Sequence, residues 1–205
     1  MQKSGQTRVL IIGAGLAGSE AAMYLANNDV SVVLIEGKTL QLNPAQKIPT
    51  FAELVCTNSL KSLDPYSAHG LLKSEMKALG SFIIESAEKH AVPAGDALAV
   101  DREKFSLEIT EKLKAHKNIQ IVELEADDPM KLKAQFECDY VIVATGPLTT
   151  KALESWITKE VSGDDFYFYD AIAPVVDADT LDLSKMYFKD RHKEMTEGGI
   201  ISTRP

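Results

Sequence analysis

The sequence predicts an α/β fold built on a doubly wound, mostly parallel sheet. Three observations carry that expectation. RVLII (Arg8 to Ile12), VSVVLIE (Val30 to Glu36) and YVIVATG (Tyr140 to Gly146) are short β-branched apolar runs, the signature of strands buried on both faces. Segments with apolar residues four apart lie between them and read as helices. The first strand, a glycine-rich turn, a helix and the second strand fit into about 30 residues, the length of a right-handed βαβ unit.

Taken in order, the first strand runs straight into GAGLAG, Gly13 to Gly18. In the following helix, SEAAMYLANN, the spacing of Ala17, Ala21 and Leu25 marks a buried face, and Asn27 and Asn28 suit its end. Gly37 to Tyr66 is irregular, broken by Pro44, Pro49 and Pro65. A helix is predicted from about Ser67 to Leu79, with Leu72, Met76 and Leu79 on its apolar side, and another over Ser81 to His90. Ala91 to Val100 reads as a loop leading to a third helix after Asp101, its helix cap, where Phe105, Ile109 and Leu113 repeat every four residues. Ile119 to Glu125 reads as a strand, and DDPMKLKAQFE (Asp127 to Glu137) as an excursion or hairpin before the strand at Tyr140. The tail from Met195 to Pro205 has no periodicity and is expected to be poorly ordered.

A length of 205 residues with 45% hydrophobic content can bury one substantial domain, or one domain and part of another. No window approaches the apolar length of a membrane span, and Met1 to Gly13 lacks signal-peptide architecture. Cys56 and Cys138 are too few for a disulfide framework, so the expected setting is a reducing cytoplasm. The net charge of −8 argues against a protein that binds nucleic acid over its whole surface. Glu160 to Asp182 holds seven acids and no Lys or Arg, so any RNA contact must be local or come from residues outside this chain. His69, His90, His116 and His192 show no metal-ligand spacing, and no metal site is expected.

The glycines carry the chemistry. In a Rossmann-type turn the first, Gly13, permits the tight bend; the second, Gly15, lets a pyrophosphate approach the backbone; the third, Gly18, lets helix and strand pack closely. Ala14, Leu16 and Ala17 complete a turn whose free N–H groups, with the positive end of the helix dipole, face the phosphates. Glu36 ends the next strand, 18 residues after Gly18, where a carboxylate accepts hydrogen bonds from an adenosine ribose and disfavours a 2′-phosphate. The expected ligand is therefore FAD or NAD rather than NADP. A second glycine-bearing strand end, Ala144 to Pro147 with Thr145 and Gly146, is an ordinary turn by itself. Paired with the first fingerprint it favours FAD.

GAGLAGSEAA, FAELVCTNSL, GLLKSEM, VPAGDALAVDR and VIVATGPLT, in this order, resemble the TrmFO family, the folate- and FAD-dependent uracil-5-methyltransferases of RNA. The likeness runs from about Val9 to about Lys189; the glycine fingerprint is shared with many flavoproteins, whereas the Cys56 block and PAGDALAVDR are specific. The resemblance implies FAD as cofactor, 5,10-methylenetetrahydrofolate and NADPH or NADH as co-substrates, and tRNA or ribosomal RNA as partner, with neither membrane nor metal. It implies that reduced flavin takes a methylene from the folate, delivers it to uracil C5 and completes the methyl group. Uracil C5 is a poor nucleophile until a thiolate adds to C6, and the base must leave its stack to meet a buried flavin. Cys56 matches the family block as a flavin-proximal thiol, whereas an arbitrary free cysteine is commonly inert and buried, as Cys138 is expected to be. In the family a later cysteine is the stronger candidate for the attack.

Arg102 reads as a substrate or cofactor-phosphate contact or as one half of an exposed ion pair. Lys38 stands where the family usually has Arg, which keeps a positive charge near the cofactor without the planar geometry. Family members are longer, so the expectation is an amino-terminal part. Residues 1–165 form the FAD-binding portion; residues 166–205 begin an inserted substrate domain, where FYFYDAIAPVV shifts composition, and end in an atypical tail. The alternatives are a non-catalytic dinucleotide-binding remnant and another tRNA-modifying flavoprotein oxidoreductase.

Overall fold

The computed structural model describes residues 6–43, 45–55, 57–147, 149–162 and 180–185. In chain order its elements begin with β1 (Arg8–Ile12), α1 (Leu16–Asn27), β2 (Ser31–Glu36), β3 (Ser59–Ser62), α2 (Ala68–Ala78), α3 (Phe82–Lys89), β4 (Ala91–Val92) and β5 (Ala97–Val100). They continue with α4 (Arg102–Ala115), β6 (Ile119–Glu123), α5 (Pro129–Gln135), β7 (Tyr140–Val143), α6 (Lys151–Ile157) and a π-helical turn at Thr158–Ser162.

β6, β2, β1 and β7 form one parallel sheet in that order, the doubly wound arrangement expected. Successive side chains on a strand point to opposite faces. Val9 and Ile11 of β1, with Val32 and Leu34 of β2, thus join one core with Ala22 of α1, Ile83 of α3 and Phe105 of α4. Leu10, Ile12, Val33 and Ile35 face a second core closed by Leu132 of α5 and Leu153 of α6. Burial on both faces is why β1 and β2 read as continuous apolar runs. β7, expected to be buried as well, ends the strand order and leaves Tyr140 and Val143 exposed. In the register, Ile12 lies opposite both Ile35 and Val143, so the ends of β1, β2 and β7 converge on one point.

α3 and α4 form where they were expected, α4 on its four-residue repeat. Ser81 caps α3 by accepting from the Ile84 amide, Asp101 caps α4 by accepting from Lys104, and Phe105, Ile109 and Leu113 are fully buried. Other expectations are corrected. The buried face of α1 is Gly18, Ser19, Ala22, Met23 and Ala26, while Ala17 is exposed and Ala21 and Leu25 are half-buried. Contact of Gly18 with the β1 turn sets the phase of the helix, overriding the apolar spacing. α2 turns Gly70 and Lys73 inward and leaves Leu72 and Leu79 exposed, because a backbone approach at Gly70 and the Lys73 ammonium dock it. A Cβ on Gly70 would lie 1.8 Å from the Asp64 carbonyl oxygen, and Lys73 Nζ donates to the carbonyls of Leu60 and His69, 2.8 Å each.

The Ala91–Val100 loop and the segment before α2 contribute a three-stranded antiparallel sheet, order β3-β5-β4. Its strands are only two to four residues long, too short to carry an alternating pattern. Asp127 to Glu137 is no hairpin: Asp128 accepts from the amides of Met130 and Lys131, Pro129 takes the first helical position, and α5 follows. α6 was not anticipated; Thr150 caps it through the Leu153 amide.

By internal contacts the chain divides into two compact units, Met1–Tyr169 and Asp170–Pro205. The described part of the second contains a 3-10 turn at Leu183–Lys185, whose preceding Asp182 accepts from Ser184 and pairs with Lys185 at 3.1 Å. The Met195–Pro205 tail and the composition shift at Phe166 lie outside the described residues.

Candidate dinucleotide site

The chain leaves β1 between the ends of β2 and β7, the switch point where open α/β sheets take their ligands. Gly13 turns there with φ +98, and its amide donates to the Ile35 carbonyl at 2.8 Å. A Cβ on Gly13 would sit 2.7 Å from the Ala144 carbonyl oxygen, and one on Gly18 only 1.8 Å from the Gly13 carbonyl oxygen. Gly15 differs: nothing lies closer to its Cβ position than the Ala144 oxygen at 4.0 Å, and it is exposed. Two glycines are thus required for packing, while the third leaves the backbone open.

Gly15 is the N-cap of α1, and no side chain caps that end. The free amides and the positive end of the helix dipole therefore face the open side of the turn. Leu16 is half-buried and Ala17 exposed at this rim, and Ala14 is buried beneath it. The Glu36 carboxylate reaches over Ala14: Oε2 accepts from the Ala14 amide at 2.7 Å and Oε1 from the Lys38 amide at 2.9 Å. From β7, Thr145 packs against Gly13 and Gly146 turns with φ +69. Gly13 through Gly18, Glu36 and Thr145 are thus brought together, and Gly146 is the next residue after Thr145 in the chain.

Other sequence candidates fare differently. Cys56 lies outside the described residues. Its neighbours spend their groups locally: the Thr57 hydroxyl closes a turn with Ser59, and the Asn58 amide donates to the Val100 carbonyl. Arg102 opens α4, and its guanidinium has no hydrogen bond or ion pair among the described residues. Cys138 is buried in the second core, where burial pushes its thiol pKa up. His90 and His116 are the C-caps of α3 and α4.

Lys38 offers no free positive charge, contrary to expectation. Its ammonium is buried against Glu53 at 2.5 Å and donates to the Thr50 carbonyl at 2.9 Å. The same segment reaches the glycine turn again, where the Ala52 amide donates to the Ala14 carbonyl at 2.8 Å. No periodicity signals these contacts; only the Lys and Glu on an otherwise irregular stretch hint at them.

Among the described residues no group of His, Cys, Asp and Glu could hold a metal ion, and no helix is long and apolar enough to cross a membrane. The family model described as glucose inhibited division protein A matches residues 8–204. A protein of Ligilactobacillus salivarius named methylenetetrahydrofolate--tRNA-(uracil-5-)-methyltransferase TrmFO is 50% identical over 185 residues, covering 90% of this chain and 41% of its own. A protein of the same name from Persephonella marina is 48% identical over 185 residues, with the same coverage. The chain therefore spans about two fifths of the length of these curated relatives.

Proposed function

This chain belongs to the glucose inhibited division protein A family, and we propose that it is the FAD-binding part of a folate-dependent methyltransferase acting on uracil C5 in tRNA. The observation that carries the reading is the Glu36 carboxylate held over the Ala14 amide beside the open backbone of Gly15. The residues fit the adenosine-diphosphate half of the cofactor. A pyrophosphate can approach Gly15, the uncapped amides of α1 can donate to it, and Thr145 lies against Gly13 of the same turn, followed by Gly146. Glu36 uses two of its roughly four lone-pair sites on backbone amides, which leaves acceptors for ribose hydroxyls.

Bound FAD would supply the flavin that carries and reduces the one-carbon unit, drawn from 5,10-methylenetetrahydrofolate with NADPH or NADH as reductant. On this reading Cys56 is a flavin-proximal thiol and Arg102, without a partner among the described residues at the start of α4, a contact for substrate phosphate. Residues 1–165 are the FAD-binding portion, residues 166–205 begin a substrate domain, and the setting is the cytoplasm. The names of the relatives support the reaction class.

The test is the visible spectrum of the purified protein, with mass spectrometry of any released cofactor. FAD, bound as purified or taken up on addition, supports the reading. A folded, colourless protein that takes up no FAD overturns it. Transfer of labelled carbon from the folate to an unmodified tRNA then tests catalysis.

A further inference from the structure

The segment between β2 and β3 grips the glycine turn twice. At one end the Lys38 amide donates to Glu36, whose carboxylate accepts from the Ala14 amide; at the other the Ala52 amide donates to the Ala14 carbonyl. The amide of Ala14 is thus held by the carboxylate that ends β2, itself bonded by one arm of the segment, and its carbonyl is held directly by the other arm. The arms are cross-linked by Lys38, which pairs with Glu53 at 2.5 Å and donates to the Thr50 carbonyl at 2.9 Å. The two charged side chains are 4% and 1% exposed. The second oxygen of Glu53 accepts from the Lys47 amide at 2.8 Å. α4 braces the same arm: the Ser106 hydroxyl donates to the Phe51 carbonyl and the Thr110 hydroxyl accepts from the Phe51 amide, at 2.5 and 2.8 Å.

A buried ion pair seldom adds net stability over well-packed apolar side chains, because desolvation offsets the attraction; its better-attested use is to specify one arrangement. Here the arrangement specified is that of the turn aiming the Lys38 amide at Glu36. We propose that the Lys38–Glu53 pair is the positioning device that holds the Glu36 carboxylate for the 2′-hydroxyl of an adenosine ribose. The pair also removes the Lys38 charge from the surface, so the acidic end of β2 has no neighbouring free cation from this residue to accept a 2′-phosphate. The proposal rests on the dinucleotide reading above and adds to it the residues that set ribose specificity.

The experiment is calorimetric titration of the full chain with ADP and with 2′-deoxy-ADP, for the wild type, Lys38→Met and Lys38→Arg, beside thermal unfolding of each. The wild type should prefer ADP by about tenfold or more, the worth of one hydrogen bond to a charged acceptor. Lys38→Met should lower ADP affinity to the level of 2′-deoxy-ADP while leaving the latter's affinity unchanged. Lys38→Arg, still able to pair with Glu53, should restore the preference. A merely structural role would weaken both ligands alike. Should Lys38→Met fail to fold with Glu53 buried and unpaired, Lys38→Met with Glu53→Leu removes both charges and should fold, still without the preference. A folded variant lacking the Lys38 ammonium that keeps the wild-type preference overturns the proposal and leaves the dinucleotide reading intact. A wild type that binds neither nucleotide overturns both.

Discussion

The carboxylate of Glu36 and the backbone amide of Ala14, 22 residues apart in sequence, meet at 2.7 Å at the exit of β1. The contact ties the end of β2 to the glycine turn and places a negative charge beside the open backbone of Gly15. Glu36→Gln keeps the shape and one acceptor but loses the charge. It should weaken FAD binding by about ten- to a hundredfold, the worth of a charge-assisted hydrogen bond, and narrow any preference for NAD over NADP. Equilibrium titration with the three dinucleotides measures both effects.

Gly18 and Gly15 should respond oppositely to the same methyl group. Gly18→Ala puts Cβ 1.8 Å from the Gly13 carbonyl oxygen, so α1 must move off the sheet. It should cost about 3 kcal/mol or more of stability. Gly15→Ala meets only the Ala144 carbonyl oxygen at 4.0 Å, an ordinary contact, and has φ −70, so the fold should lose no more than about 1 kcal/mol, the cost of a poorer cap. Its methyl group occupies the pyrophosphate's approach, so dinucleotide binding should fall sharply. Urea unfolding and ligand titration on both variants separate the two effects.

The glycine turn and the three strands around it were legible because their requirements are local: a βαβ unit fits in a short window and only glycine satisfies Gly13 and Gly18. The face of α1 was misread because Ala17, Ala21 and Leu25 match a helical period, whereas contact of Gly18 with Gly13 decides the phase. α2 was misread because Lys73, polar by type, is buried by donating to two carbonyls. The Lys38–Glu53 pair was invisible because its members lie 15 positions apart along irregular chain and no periodicity links them.

A charge cluster between α3 and α4 sets an acid limit on stability. Burial raises the pKa of Glu108, but hydrogen bonds from Lys112, Lys89 and His90 outweigh it and bring it down to about 2 from the ordinary 4.5. Because the folded value is depressed, this contribution is full above the unfolded pKa and is lost as pH falls from about 4.5 towards 2. It is on the order of 1–3 kcal/mol. Glu108→Gln should lower stability at neutral pH, and its difference from the wild type should vanish near pH 2, as read by urea unfolding across the pH range.

Glu20 of α1 bonds across to the start of α3, accepting from the Ser81 hydroxyl and from the amides of Phe82 and Ile83 at 2.7–3.0 Å. Glu20→Ala strands three donors and should cost about 2 kcal/mol. The hydrogen bonds of the Glu20 carboxylate go to the start of α3 and not to the glycine turn, so FAD affinity should be unchanged at temperatures where the variant is folded. Thermal unfolding and flavin titration check the two halves of this statement.

The most direct measurement is displacement of bound FAD by ADP, followed by recovery of flavin fluorescence. If the glycine turn and Glu36 grip the adenosine-diphosphate half, ADP competes fully for the FAD site, and Gly15→Ala loses both ligands together. FAD binding that ADP cannot displace, or that survives Gly15→Ala unchanged, would place the cofactor elsewhere and contradict the assignment.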